Sequence, residues 1–236
     1  MAMILHIETT THVCSVALTR DGQLLNEREN KEGRSHASLL SYFIWQISDE
    51  EQIAPADFDA VSISEGPGSY TGLRIGVSTA KGLCYGADIP LIAVNTLQSL
   101  TQGFFYRMKE EGKNPERNAI YIPMLDARRM EVYYAIMGSD NYFIQNVSSV
   151  VIDENSFVQW LDNYSVYFFG NGSEKCREII KHPNAHFIEG VDLSAKYMSQ
   201  LAEKKYSDGR FEDLAYFEPF YLKDFIATTP RKNILG

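Results

Sequence analysis

Ala60-Val61-Ser62-Ile63-Ser64-Glu65-Gly66-Pro67-Gly68-Ser69-Tyr70-Thr71-Gly72-Leu73-Arg74 passes from an apolar strand, through a glycine-rich turn, into a helix. Its β-favouring start predicts a strand over 60–64, a loop over 65–70 and a helix over 71–85. A flexible backbone feeding a helix N-terminus presents N–H donors and the positive end of the helix dipole, which favours phosphate or carboxylate. The spacing is neither G-x-G-x-x-G nor G-x-x-x-x-G-K-[ST]. Two readings stand: an anion-binding loop, or a tight strand-to-helix turn whose shape Pro67 fixes.

The helix adds a second peculiarity. Gly72, Gly76 and Ala80 recur every four residues, as do Ser78, Gly82 and Gly86. Interior helical glycine costs roughly 1 kcal/mol against alanine, so a small-residue ridge implies close approach by another backbone. One ridge can rest on the protein's own sheet, and the other then asks for a further partner. The preceding helix, expected over 36–47 with Ser35 as its cap, carries Leu39, Leu40, Tyr42, Phe43, Ile44, Trp45 and Ile47. A helix apolar nearly all round is buried on every side or covered by a second protein. Together the two helices predict a docking patch built from Leu39, Leu40, Phe43, Ile44, Gly72, Gly76 and Ala80.

Working outward, strands are expected over 3–8, 13–19 and 23–28, with Asp21-Gly22 as a hairpin turn. Downstream, 91–94 reads as a strand and 96–108 as a helix. The order is β-β-β-α-β-α-β-α. Residues 109–118 are polar, carry Gly112 and Pro115, and read as a linker. The order then repeats: strands over 119–125, 131–137 and 143–152, a helix over 154–161, a strand over 166–169, a helix over 173–181, a strand over 186–188 and a helix over 194–206. Gly66-Pro67-Gly68 and Gly170-Asn171-Gly172 occupy equivalent strand-to-helix turns.

Two facing βββαβαβα halves describe the two-lobed α/β architecture of actin, sugar kinases and Hsp70, the duplicated ASKHA or ribonuclease H-like fold. The lobes are expected over 1–108 and 119–236, with the last helix free to pack back on the first. In that architecture nucleotide phosphates lie between the two β-turns, which makes Glu8, Thr10, Gly66, Gly68, Ser69 and Asp126 the candidate anion or nucleotide cleft. Glu8 and Asp126 each end a first strand at a turn. Such carboxylates either hold a metal-nucleotide or act as a base, or else bind nearby backbone N–H groups. Asp126-Ala127-Arg128-Arg129 reads either as a charge-stabilised hairpin turn or as a docking point for a charged partner.

Composition narrows the function classes. Acidic residues number 31 against 22 basic ones, a net charge of −9, which argues against a primary nucleic-acid clamp. No apolar run reaches a membrane span, and the opening residues 1–8 lack a basic signal-peptide start. Cys14, Cys84 and Cys176 are far apart and read as reduced core residues of a cytoplasmic protein. No pair among the five histidines is read as metal ligands, and neither H-E-x-x-H nor G-x-S-x-G occurs. No catalytic and no metal-ligating residue is assigned.

Three segments resemble the TsaB (YeaZ) family of bacterial tRNA-modification proteins: 4–10, ILHIETT; 66–76, GPGSYTGLRIG, with 79–83, TAKGL; and 125–133, LDARRMEVY. The likeness is good over about 3–135 and weak beyond, apart from Pro219-Phe220-Tyr221-Leu222. It implies a non-catalytic, glycoprotease-like paralogue of the TsaD ligase. Such a subunit works with TsaD and the ATPase TsaE to place threonylcarbamoyl on adenosine 37 of tRNA. The expected partners are a TsaD-type paralogue, a TsaE-type ATPase, a second copy in isolation, and tRNA only indirectly. The resemblance implies no cofactor of its own, with ATP or ADP and magnesium confined to the complex. Glu8 stands where the family has Asp, Tyr70 for Phe, Met130 for Gly and Lys223 for Arg, and the first weakens inherited nucleotide binding. An enzyme of the same fold, a phosphotransferase or a metallopeptidase, is the alternative.

Overall fold

A computed structural model describes residues 2–33 and 36–223; Ser35, the expected first-helix cap, lies outside them, as does the chain beyond 223. The first half runs β1 (Met3–Glu8), β2 (Cys14–Arg20), β3 (Gln23–Asn30), α1 (His36–Glu50), β4 (Ala60–Gly66), α2 (Tyr70–Ala87), β5 (Leu91–Asn95) and α3 (Thr96–Glu110). The second runs β6 (Ala119–Asp126), β7 (Glu131–Met137), β8 (Phe143–Val151), α4 (Val158–Leu161), β9 (Ser165–Phe169), β10 (Ala185–Ile188) and α5 (Ser199–Ser207). The sheet orders are β3-β2-β1-β4-β5 and β10-β9-β6-β7-β8, the same topology used twice. In each, the three strands earliest in the chain pair antiparallel, and the other two add in parallel beside the first of them. This is the two-lobed ASKHA-like α/β fold.

Alternation along the strands sends side chains to both faces, and both faces are covered. In the first sheet, Leu5, Ile7, Val16 and Leu18 pack with Leu40, Phe43, Ile44 and Ile47 of α1 and with Val77, Ala80 and Cys84 of α2. Its opposite face, with Ile4, Ala17, Ala60, Ile92 and Val94, is closed by Ala195, Met198 and Ala202 from a 3-10 turn and α5. In the second sheet, Tyr121, Leu125 and Phe169 receive Leu97, Leu100 and Phe104 of α3. Each half therefore lends a helix to the other's sheet.

Helices of the second half are shorter than the sequence predicts. The expected 154–161 helix is reduced to the four residues of α4, entered through Phe157 in a left-handed conformation. The expected 173–181 helix is a 3-10 turn at Glu174–Cys176. Cys176 and Ile180 are the only apolar side chains of that segment that are buried, too little apolar face to offset the cost of nucleating a helix.

Candidate functional site

Glu8 ends β1 fully buried. Its Oε1 accepts the Thr10 N–H at 2.7 Å and the Thr10 hydroxyl, and its Oε2 accepts the Ser64 hydroxyl. Burial holds its pKa above the usual carboxylate range, against those hydrogen bonds. Its hydrogen-bond partners among the described residues lie on its own turn and on the neighbouring strand β4. The carboxylate clamps β1 to β4 and faces no ligand space.

The glycine turn is likewise closed against its own chain. Ser69 N–H donates to the Thr10 carbonyl at 2.7 Å, Gly66 N–H to Thr96 Oγ1 at 3.1 Å, and Gly72 N–H to Ser69 Oγ at 3.3 Å, making Ser69 the cap of α2. A Cβ on Gly68 would lie 2.6 Å from the Thr10 carbonyl oxygen. Gly66, at φ +118°, would place one 2.6 Å from the Phe220 carbonyl oxygen. The glycines serve backbone-to-backbone packing, and the Gly66, Ser69 and Gly72 N–H donors are spent on protein. Between the lobes, the cavity lined by Thr11, His12, Leu100, Leu125, Asn171 and Leu193 holds about 10 Å³. That is room for one water, where a small-molecule site needs roughly 300 Å³ or more. Asp126 is exposed and binds Lys175 and the Arg128 N–H. The six residues expected to form an anion cleft therefore divide into a buried clamp (Glu8, Thr10), a self-packed turn (Gly66, Gly68, Ser69) and a surface ion pair (Asp126).

The expected docking residues also need correction. Leu40, Phe43, Ile44, Gly72, Gly76 and Ala80 are buried in the protein's own core, and Leu39 is half-buried against it. A Cβ on Gly72 would fall 2.0 Å from the Thr9 carbonyl oxygen, and one on Gly76 2.3 Å from Thr9 Oγ1. This ridge seats α2 on the β1–β2 turn. The second ridge is the outward one: Ser78, Gly82 and Gly86 are exposed, and a Cβ at either glycine would meet nothing within 4 Å among the described residues. On the same helix Tyr85 is 83% exposed, and on α1 Tyr42 and Trp45 are 50% and 59% exposed with their rings stacked at 5.9 Å. The sequence held the signal: Leu73, Val77 and Cys84 share a side with Gly72 and Gly76, marking that side as core.

Among the described residues no three His, Cys, Asp or Glu side chains converge as metal ligands, and no helix is long and apolar enough to cross a membrane. His36 Nε2 bonds the Thr11 carbonyl oxygen at 2.9 Å and ties α1 to the β1–β2 turn. Cys14, Cys84 and Cys176 are free and buried.

Comparison with known proteins gives a consistent result. The family model described as TsaD, tRNA N6-adenosine threonylcarbamoyltransferase, matches residues 29–230. The tRNA threonylcarbamoyladenosine biosynthesis protein TsaB of Escherichia coli K12 is 30% identical over 231 residues, covering 95% of this chain and 96% of that protein. TsaB of Haemophilus influenzae Rd is 27% identical over 233 residues, 94% and 93% of the two chains. The solved structure of YeaZ from Pseudomonas aeruginosa superposes with TM-score 0.77 at 27% identity, covering 94% of this chain and 100% of that one.

Proposed function

The chain belongs to the TsaB/YeaZ family, and we propose that it acts in tRNA threonylcarbamoyladenosine biosynthesis as a non-catalytic subunit, docking a TsaD-type paralogue through the outward faces of α1 and α2. One observation carries this reading: Gly82 and Gly86 sit inside an exposed helix with open space above them, beside Tyr42, Trp45 and Tyr85. Nothing among the described residues requires glycine there, and each costs roughly 1 kcal/mol of helix stability against alanine. A second backbone seated on the ridge accounts for that cost, and the flanking aromatic rings are the residue types that anchor interfaces. A TsaE-type ATPase, a second copy of the chain when the paralogue is absent, and the cytoplasm as site of action belong to the same proposal. The self-packed turn and the small inter-lobe cavity support a subunit without nucleotide of its own. A phosphotransferase or metallopeptidase is the alternative reading, and among the described residues no cluster of three metal-ligating side chains supports the second.

The test is capture of the TsaD-type paralogue by Gly82→Phe. A Cβ at Gly82 would meet no atom of the described residues within 4 Å, and the position is exposed, so the core packing is left untouched. Folding with loss of capture is the expected outcome; capture at the parent level overturns the interface.

A further inference from the structure

Arg128 and Arg129 lie in the β6–β7 turn at φ +72° and +51°, a left-handed backbone that glycine or asparagine adopts far more readily than arginine. The turn is held from beneath. Lys175 Nζ binds the Asp126 carboxylate, the Arg129 carbonyl at 2.8 Å and the Glu131 carbonyl at 2.7 Å, so its ammonium is fully engaged. Asp126 is thus taken by Lys175 and Glu131 by Lys223. Both arginines are exposed, and their guanidinium groups have no ion pair among the described residues. A chain of net charge −9 here holds two fixed, unneutralised cations on a rigid turn. A chain of contacts leads from them to a third: Lys223 follows Tyr221, whose ring meets Tyr70 at 5.1 Å, and Arg74 lies over the Tyr70 ring at 5.5 Å. Arg74 also lacks an ion pair among the described residues.

We propose that the Arg128–Arg129 turn is a contact for the sugar–phosphate backbone of RNA. This rests on the reading above that the chain works in tRNA modification. Two forked guanidiniums on adjacent residues match successive phosphates, and phosphate contacts position a nucleic acid without reading its sequence. The unfavourable backbone separates function from stability. A structural turn would use Gly or Asn, so arginine at both positions is explained by what the side chains bind.

The experiment is a fluorescence-anisotropy titration of a short labelled RNA stem–loop with the full chain over a salt series, for the parent and for Arg128→Gly/Arg129→Gly. The double variant should bind about tenfold more weakly and lower the slope of log affinity against log salt by about two. Its thermal midpoint should stay level or rise. Unchanged RNA affinity and slope overturn the proposal. So does a fall in thermal midpoint of several degrees, which makes the arginines structural. An effect confined to a labelled polyglutamate peptide overturns it too, reassigning the turn to an acidic protein surface. Capture of the TsaD-type paralogue is measured on the same double variant. It reports on the α1–α2 interface alone, so the two readings fail separately.

Discussion

Thr9 occupies the space that any side chain at Gly76 would need. Its Oγ1 lies 2.3 Å from where that Cβ would stand, and the same hydroxyl donates to the Gly72 carbonyl at 2.8 Å. Gly76→Ala should therefore destabilise the isolated chain by on the order of 2 kcal/mol, through overpacking of a buried contact. Gly82→Ala, six residues along the same helix but facing open space among the described residues, should stabilise it by roughly 0.5–1 kcal/mol. Urea unfolding of the two variants side by side checks the contrast. Equal effects would remove the distinction between an inward and an outward ridge.

Partner docking should be visible in tryptophan emission. Trp45 is exposed and Trp160 half-buried, so covering α1 moves Trp45 from water to an apolar setting. Emission should shift to the blue when the TsaD-type paralogue is added, and Trp45→Phe should abolish that shift. Trp45→Ala should leave the fold intact and weaken binding by about 2 kcal/mol, as expected for an aromatic anchor.

His6 makes stability fall with acid. It is fully buried between Ser62 Oγ at 2.6 Å and Thr19 Oγ1 at 2.7 Å, and desolvation pushes its pKa down to about 3 from 6.5. The unfolded chain binds the proton first, so the penalty begins near pH 6.5 and grows until about pH 3. Between pH 7 and 5 this one group removes about 2 kcal/mol. Glu8, whose pKa is raised by burial, acts in the opposite direction, so a comparison with His6→Gln isolates the histidine. The variant should start less stable and lose about 2 kcal/mol less over that interval in urea titrations.

The thiols should be silent in the native state. Burial pushes Cys14 and Cys176 up to about 11 and Cys84 up to about 12. Thiolate is the reactive form. A chromogenic disulfide reagent at pH 8 should therefore count no cysteine in the folded chain and three after denaturation.

The halves differ in how plainly the sequence declares them. Residues 3–8 and 131–137 form strands over the span that their apolar runs predict. Residues 173–181 do not form the helix their composition allows, because a helix is kept by what it buries and this segment buries little. The two ridges of α2 are chemically alike, and their neighbours separate them: Leu73, Val77 and Cys84 mark the inward side, where Thr9 fills the space above the glycines. The anion cleft had the right glycines for the wrong reason: small residues admit phosphate or another backbone equally, and here the Thr10 and Phe220 carbonyls are already in place. Arg128 and Arg129 were readable as charge, but their left-handed backbone was not.

The helix that each half lends the other also sets an order of events during synthesis. The face of the first sheet carrying Ile4, Ala17, Ala60, Ile92 and Val94 waits for Ala195, Met198 and Ala202, about a hundred residues later in the chain. While the ribosome is still making the second half, that face has no cover, and contacts of such long separation form slowly. The amino-terminal half cannot be released as a finished domain. That face closes only once Ala195, Met198 and Ala202 have emerged, and until then it is an apolar surface for chaperones to hold.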